Sequence, residues 1–204
     1  RETENYRLGP KTLQIGLIFI EQRECCRQAR PILEGLVAVT GETAVVAVLR
    51  ANKVIYMDSV ETDRTVRAIS RIGAMHPAYC TGVGKAQLAF LSSAELERLF
   101  SESDLTALTP NTLRSRDALL TVLKGVRARD YSVEREECDL EVNGIAAPVR
   151  DYSNNVIAAV GIVAPASRLS EERIRKESLL TRVQEAALAL SAKLGYRAVP
   201  AKKA

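Results

Sequence analysis

Two features common in membrane and secreted proteins are missing from this sequence, and their absence narrows the classes of protein to which it can belong. No run of apolar residues approaches the roughly 20 that a membrane-spanning helix needs. The chain does not open on a basic and apolar signal region, and it does not begin with Met. We therefore expect a cytoplasmic protein with no membrane partner, present here as a piece of a longer chain.

Residues that commonly bind metals are also scarce. The chain has one histidine, His76, and four cysteines, Cys25, Cys26, Cys80 and Cys138, with no Cys-x-x-Cys pair among them. These spacings do not assemble a conventional zinc set, and a domain of this size needs no disulfide bonds. We therefore predict free thiols in a reducing compartment, no metal site and no cofactor.

The composition is that of an ordinary globular domain. Hydrophobic residues make up 47% and charged residues 26% of the 204 residues, which favours one compact domain. The net charge of +4 arises within residues 64–94, where Arg64, Arg67, Arg71 and Lys85 stand without any acidic residue. Such a segment is either a solvated face or a surface that attracts an anion.

Periodicity and turn residues predict an α+β fold. Helices are expected over residues 11–30, 31–41, 85–91, 92–100, 111–129 and 170–194, the second beginning at Pro31. Strands are expected over residues 43–50, 54–60, 65–72, 131–136, 142–150 and 156–164. Tight turns between neighbouring strands favour an antiparallel sheet flanked by helices over a doubly wound parallel sheet.

Two glycines precede the helix that is predicted to start at Lys85. Gly82 and Gly84 let a ligand approach the backbone, and amides at a helix start attract a carboxylate or phosphate. The segment is not a P-loop, because Ala86 stands where that loop requires Ser or Thr. We predict an anion site at residues 81–85, the alternative being a tight loop whose glycines only ease packing.

Two further groups of residues could support catalysis. A Cys80 thiol with His76 as its base would need the two side chains in contact, and Pro77 disfavours the helix that would provide it. An acidic run could supply paired carboxylates; it consists of Glu134, Glu136, Glu137, Asp139 and Glu141. A buried structural cysteine and a solvated strand end are the simpler interpretations, with one carboxylate free to bind a ligand hydroxyl.

Several short segments occur in an order typical of one regulator family. They are YRLGP at 6–10, TGET at 40–43, PAYCTGVGKA at 77–86, GIAAPV at 144–149, PASRL at 165–169 and LGY at 194–196. Each segment alone is a loose match, but together they extend over essentially the whole chain. On these segments the sequence resembles the IclR family of bacterial transcription regulators.

The resemblance implies a fold and a division of the chain. The fold is a GAF- or profilin-like antiparallel sheet flanked by helices and preceded by a linker helix. Residues 1–9 would be a remnant of a winged helix-turn-helix DNA-binding domain, 10–30 the linker helix and 31–204 the effector-binding domain. The implied partners are a small organic acid, further copies of the chain in a dimer or dimer of dimers, and operator DNA through an N-terminal domain largely absent here.

Carried over by position, the resemblance also implies an effector pocket between the sheet and the glycine segment. Its residues would be Cys80, Thr81, Gly82, Val83, Gly84, Glu134, Gly144, Ile145, Gly161 and Val163. Some relatives have hydroxyl or thiol side chains at positions 144, 161 and 163. We therefore expect a roomier and less polar pocket wall here, suited to a carboxylate larger than a two-carbon acid.

The leading hypothesis is thus the sensor domain of a ligand-gated transcription regulator, which is not an enzyme. The alternative is an enzyme that processes a small acid with Cys80 or with the acidic run near Glu134. A third hypothesis is an oligomerisation module without a ligand. Under the leading hypothesis too, the apolar face of the linker helix over residues 13–20, which includes Leu17 and Ile20, is expected to pair chains into at least a dimer.

Overall fold

One antiparallel sheet organises the part of the chain that the structure, a computed structural model, describes: residues 9, 11–12, 24–100 and 105–197. Its strands are β1 (Thr43–Arg50), β2 (Lys53–Val60), β3 (Met75–Pro77), β4 (Ser132–Arg135), β5 (Val142–Arg150) and β6 (Val156–Pro165). They form a six-stranded sheet in the order β3-β2-β1-β6-β5-β4. Every pair of neighbouring strands is antiparallel, as the tight turns predict.

Helices flank this sheet, and hydroxyl side chains explain where several of them begin. The helices are α1 (Glu24–Thr40), α2 (Gly82–Leu88), α3 (Ser93–Leu99), α4 (Arg116–Arg129), α5 (Glu171–Lys176) and α6 (Leu179–Lys193). Thr81, Ser92, Ser115 and Ser170 each accept a hydrogen bond from an amide in the first turn of the following helix. Across these described helices, none is long and apolar enough to span a membrane. The predicted α+β architecture is confirmed.

The sheet is buried on both faces, which explains its nearly continuous apolar strands. On one face, α1 and α6 pack on Val46 and Val160. On the other face, α2, α3 and α4 pack on Val45 and Ala159, so the alternating side chains of β1 enter opposite cores. Helix α2 is buried along its whole length. The glycine segment is therefore held rigidly against the sheet.

Pro31 does not begin a helix, contrary to the sequence prediction. It lies inside α1, which runs without a break from Glu24 to Thr40. Proline removes one helical hydrogen bond, but Ala29 and Leu33 on either side of it are fully buried in the core. Gly41 ends the helix with φ of +67°, as predicted. Residues 13–23 of the predicted first helix lie outside the described part of the chain.

Two other local predictions are wrong. Residues 65–72 form an irregular segment instead of a strand, and β3 takes the position next to β2. The predicted helix over 170–194 is interrupted at Ser178, whose φ is +51°. In a continuous helix, Ile174 and Leu179 would lie about 140° apart around the axis. The interruption lets both residues enter the same core.

Candidate functional site

A cavity of about 410 Å³ lies at the N-terminal end of α2, on the sheet face that α2 covers. Its wall combines Tyr56 of β2, the irregular segment around Arg67, His76 of β3 and Glu134 of β4. Of the site residues that the sequence predicted, Glu134, Thr81 and Val163 line this cavity. The volume is within the range of small-molecule sites, about 300–1,000 Å³.

The amides that the sequence predicted for a bound anion make hydrogen bonds within the chain. Helix α2 begins at Gly82, three residues earlier than predicted, so both glycines lie in its first turn. The Gly82 amide donates to Oε2 of Glu134 over 2.9 Å. The Gly84 amide donates to Oγ1 of Thr81 over 3.2 Å. The helix start does attract a carboxylate, and Glu134 supplies it.

Close backbone packing, more than ligand access, explains two of the glycines. A Cβ atom at Gly84 would lie 2.1 Å from the carbonyl oxygen of Ala78, and one at Gly161 would lie 2.5 Å from that of Ile145. The extra room expected at position 161 is therefore already filled. Gly144 instead borders a void of about 10 Å³ that lies beneath Glu134.

The remaining predicted residues lie outside the cavity wall. The Ile145 side chain packs in the opposite core, against α1 and α6. Val83 is buried between α2 and the sheet. Cys80 is fully buried, and its thiol donates to the carbonyl of Pro77 over 3.3 Å.

Burial dominates the electrostatics of Glu134. It raises the pKa of the carboxyl to about 7, against the opposing effects of the Gly82 amide and the Lys85 charge. Near neutral pH this side chain therefore exists in both protonation states. Such a group can accept a hydrogen bond from a ligand or donate one to it.

The basic segment divides into residues with different partners. Lys85 is fully buried and binds the Glu137 carboxylate and the Val133 carbonyl, so its charge is neutralised away from the cavity. Arg64 donates to the carbonyl of Gly41 over 3.0 Å. Arg67 lines the cavity and pairs with Glu61 over 2.7 Å.

His76 contacts Cys138 instead of Cys80. Its Nδ1 atom lies 3.4 Å from the Cys138 sulfur, although 62 positions separate the two residues. Hydrogen bonding with Cys80 and burial raise the pKa of the Cys138 thiol. Asp139 lies beside them at the edge of the same cavity. Residue spacing does not predict this cluster, because His76 lies far from Cys138 and Asp139 along the chain.

Comparison with known proteins identifies this arrangement. The family model for the bacterial transcriptional regulator IclR C-terminal domain matches residues 18–192. The chain belongs to the IclR family. It is 33% identical over 197 residues to the transcriptional regulator XynR of Escherichia coli K12, an alignment that spans 97% of this chain and 77% of XynR. It is 31% identical over 195 residues to the E. coli K12 repressor AllR, spanning 96% and 71% of the two chains.

Solved IclR structures share the fold. The crystal structure of the Thermotoga maritima IclR superposes with a TM-score of 0.81 at 29% identity, covering 92% of this chain and 75% of that one. The predicted family and the GAF-like antiparallel sheet are therefore confirmed. IclR proteins are transcription regulators, which bind DNA and small-molecule effectors, and effector binding is the general role of this C-terminal domain.

Sequence reasoning missed part of the wall of this IclR cavity. Tyr56, Arg67 and Cys138 line it together with Glu134, but no short motif contains them. Arg67 lies in the segment that was predicted as a strand, where an alternating pattern says nothing about a cavity. The charge distribution carried a partial signal, because Arg67 belongs to the segment without acidic residues.

Proposed function

We propose that this IclR domain binds a small organic carboxylate in the cavity beside α2, and that binding alters the DNA affinity of the intact regulator. The observation that carries the proposal is the cavity of about 410 Å³ with an arginine, Arg67, and the polar groups of Thr81 and Glu134 on its wall. A cavity of this size accepts a carboxylate larger than a two-carbon acid.

Arg67 is the group that holds the effector carboxylate. Its pair with Glu61 is partly exposed, with 33% of the arginine and 43% of the glutamate side chain accessible. Such pairs contribute little stability, so a ligand carboxylate replaces Glu61 at low cost. The planar guanidinium group of an arginine can donate hydrogen bonds to both oxygens of a carboxylate at once. The start of α2 is the weaker candidate, because Glu134 already occupies the Gly82 amide.

The inner end of the cavity recognises the rest of the effector. Thr81 and Glu134 offer a hydroxyl and a carboxyl group to a hydroxyl or carbonyl on the ligand, while Val163 supplies an apolar contact. These are the sequence-predicted residues that we propose touch the effector. The other predicted residues do not line the cavity, and we propose that they support the residues that do. They are Cys80, Gly82, Val83, Gly84, Gly144, Ile145 and Gly161.

We further propose that the domain has no enzymatic activity. The Cys80 thiol is fully buried and hydrogen-bonded to Pro77, and the histidine that could activate it contacts Cys138. In the acidic run, Glu134 bonds an amide and Glu137 pairs with Lys85. Incubation with candidate acids should leave them unchanged, and detection of a product would contradict this part of the proposal.

A thermal-shift screen followed by calorimetry tests the binding proposal. Small carboxylates of graded size are compared with their uncharged amides, since an effector that binds the folded state raises the melting temperature. A ligand at 100 times its Kd adds about 2.7 kcal/mol to the free energy of unfolding. We expect a carboxylate, and not its amide, to bind. The absence of a shift across the panel would favour the oligomerisation module.

The intact regulator should work in the cytoplasm as a dimer or dimer of dimers on operator DNA. We retain the division into a DNA-binding remnant at 1–9, a linker helix at 10–30 and an effector domain at 31–204, although α1 is continuous across the last boundary. Leu17→Lys with Ile20→Lys should weaken association if the linker pairs chains. A wild-type chain that sediments as a monomer at micromolar concentration would contradict the assembly.

Effector binding must favour one domain arrangement over another if it is to change DNA affinity. The coupling should be of the usual size, about 1–3 kcal/mol. By reciprocity, saturating effector should also change self-association of this chain if the interface takes part in the switch. Sedimentation with and without effector tests this, and unchanged association would rule out that route.

A further inference from the structure

We propose that His76, Cys138 and Asp139 form a binding site for a transition-metal ion of the zinc type at the wall of the cavity. One ligand atom from each of the three residues lies within 4.8 Å of the others. Zinc prefers nitrogen and sulfur donors such as an imidazole and a thiolate, whereas magnesium and calcium prefer oxygen donors.

The distance between the first two donors fits tetrahedral zinc. Bonds of about 2.3 Å to sulfur and about 2.05 Å to nitrogen place these atoms about 3.6 Å apart across a tetrahedral ion. The Cys138 sulfur and Nδ1 of His76 are 3.4 Å apart. Asp139 is exposed, so its carboxylate can rotate toward the ion with little resistance from packing.

The protein holds two of the three ligands in place. Cys138 is 7% exposed and packs within the core beneath α2. His76 belongs to β3, and its ring meets the Tyr56 ring edge-on, with the ring centroids 5.7 Å apart. The Cys80 thiol bonds the Pro77 carbonyl and contacts Cys138, so it orients that ligand from behind.

Three protein ligands leave one tetrahedral position open. The three residues line the cavity, so this position faces the space in which the effector binds. Binding converts the Cys138 thiol to a thiolate, which bonds the metal while its proton passes to solvent. A hydroxyl or carbonyl oxygen of the effector, whose carboxylate is held by Arg67, would replace the water on the metal. This last step rests on the proposed function, whereas metal binding itself does not.

Cobalt(II) titration of the reduced, chelator-treated chain tests the site. We expect one ion per chain, a thiolate-to-cobalt charge-transfer band in the near ultraviolet, and displacement of cobalt by zinc but not by magnesium. Cys138→Ser should abolish the band. Asp139→Asn, at an exposed position with little risk to folding, should weaken cobalt binding about tenfold or more. The matched control is Cys25→Ser with Cys26→Ser, two thiols in α1 on the opposite sheet face, which should leave the band unchanged.

The outcomes decide the proposal in either direction. Absence of stoichiometric binding, a band that survives Cys138→Ser, or a band lost in the α1 control would overturn it. If Cys138→Ser does not fold, Asp139→Asn decides by the same affinity criterion. The titration needs no effector, and the carboxylate screen is run with zinc and again with chelator. Failure of the screen in both conditions would therefore refute the proposed function. The metal titration would still decide the metal site independently.

Discussion

Oε2 of Glu134 accepts a hydrogen bond of 2.9 Å from the amide of Gly82, at the helix start where the sequence predicts a bound anion. The chain thus supplies its own carboxylate to the first turn of α2. Two opposing effects act on that group. The amide favours the charged form, whereas burial favours the neutral form and raises the pKa to about 7.

This raised pKa predicts how stability depends on pH. The carboxyl has its ordinary pKa of 4.5 in the unfolded chain and about 7 in the folded one, so the folded state binds more protons between these values. The free energy of unfolding should therefore fall as the pH rises through this interval, by up to about 3 kcal/mol. Urea denaturation at several pH values across the interval measures the effect.

Glu134→Gln isolates the contribution of this one carboxyl. The amide side chain keeps the shape and still accepts a bond from Gly82, but it does not titrate. The difference in stability between the wild-type chain and the variant should shift in favour of the variant as the pH rises from 4.5 to 7. A difference that is constant across this interval would show that Glu134 titrates normally.

Gly84 and Gly82 should respond very differently to the same substitution. At Gly84 a Cβ atom would lie 2.1 Å from the Ala78 carbonyl oxygen, so Gly84→Ala must displace the backbone. We expect a loss of at least about 2 kcal/mol in the free energy of unfolding. At Gly82 the nearest atom is 3.7 Å away, and Gly82→Ala should change stability by less than about 1 kcal/mol. Equal losses measured by urea denaturation would contradict this view of the glycine segment.

A buried ion pair joins the end of α1 to the start of α5. Glu42 is 0% exposed, and Arg168 donates to its two oxygens over 2.7 and 2.6 Å, with Arg173 as a further donor. Glu42→Gln should cost about 1.5–3 kcal/mol, because it removes a buried carboxylate that accepts charged hydrogen bonds from two half-buried arginines. The control is Glu172→Gln in α5, whose exposed pair with Lys176 is worth less than about 1 kcal/mol. Similar losses for both variants would refute the buried pair.

Glu42 and Glu134 also have opposite pH signatures. Burial alone would raise the pKa of Glu42, but hydrogen bonds from Arg168 and Arg173 outweigh it and the pKa is lowered. This contribution to stability is fully present above pH 4.5 and is lost as the pH falls through the lowered pKa. Glu42→Gln should therefore flatten the acid limb of the stability curve, whereas Glu134→Gln changes the limb between pH 4.5 and 7.

Elements whose ends are determined by neighbouring residues could be predicted from the sequence. Strand β5 spans the predicted residues, because its β-branched and alanine residues are bounded by turns. The capping pair Ser92 and Glu95 explains why α3 begins within one residue of the start predicted for the helix over 92–100. The interruption at Ser178 was not predictable in the same way, since it is imposed by burial of Ile174 and Leu179 in one core. Periodicity describes one helix and carries no information about such packing.

The site shows the same division between local and long-range information. The pattern at residues 81–85 predicted an anion at these amides, but it could not reveal that Glu134, 52 positions away, accepts the hydrogen bond of the Gly82 amide. The motifs at Glu42 and Arg168 were each recognisable, yet only the fold brings them into contact across 126 positions. The single histidine and the cysteine spacing led us to predict no metal site. The contact between His76 and Cys138 arises only in the folded chain, so residue spacing could not reveal it.

Arg67 provides the sharpest test of the effector site. Arg67→Gln removes the positive charge on the cavity wall, and a hydrogen bond to a charged group contributes about 1.5–3 kcal/mol. We therefore expect the affinity for the best carboxylate of the screen to fall by about tenfold to a hundredfold, measured by calorimetry. The fall should be much smaller for the corresponding uncharged amide, since that ligand gains little from the arginine.

Arg71→Gln is the matched control for this variant. It makes the same change in net charge within the same basic segment, but Arg71 is exposed and is not among the described residues that line the cavity. Long-range attraction of an anion would weaken equally in both variants and would disappear at high salt. A direct contact predicts instead that Arg67→Gln alone loses affinity and that the loss persists at high salt. Equal effects of the two variants would place the effector carboxylate elsewhere, with the first turn of α2 or the proposed metal site as the remaining anchors.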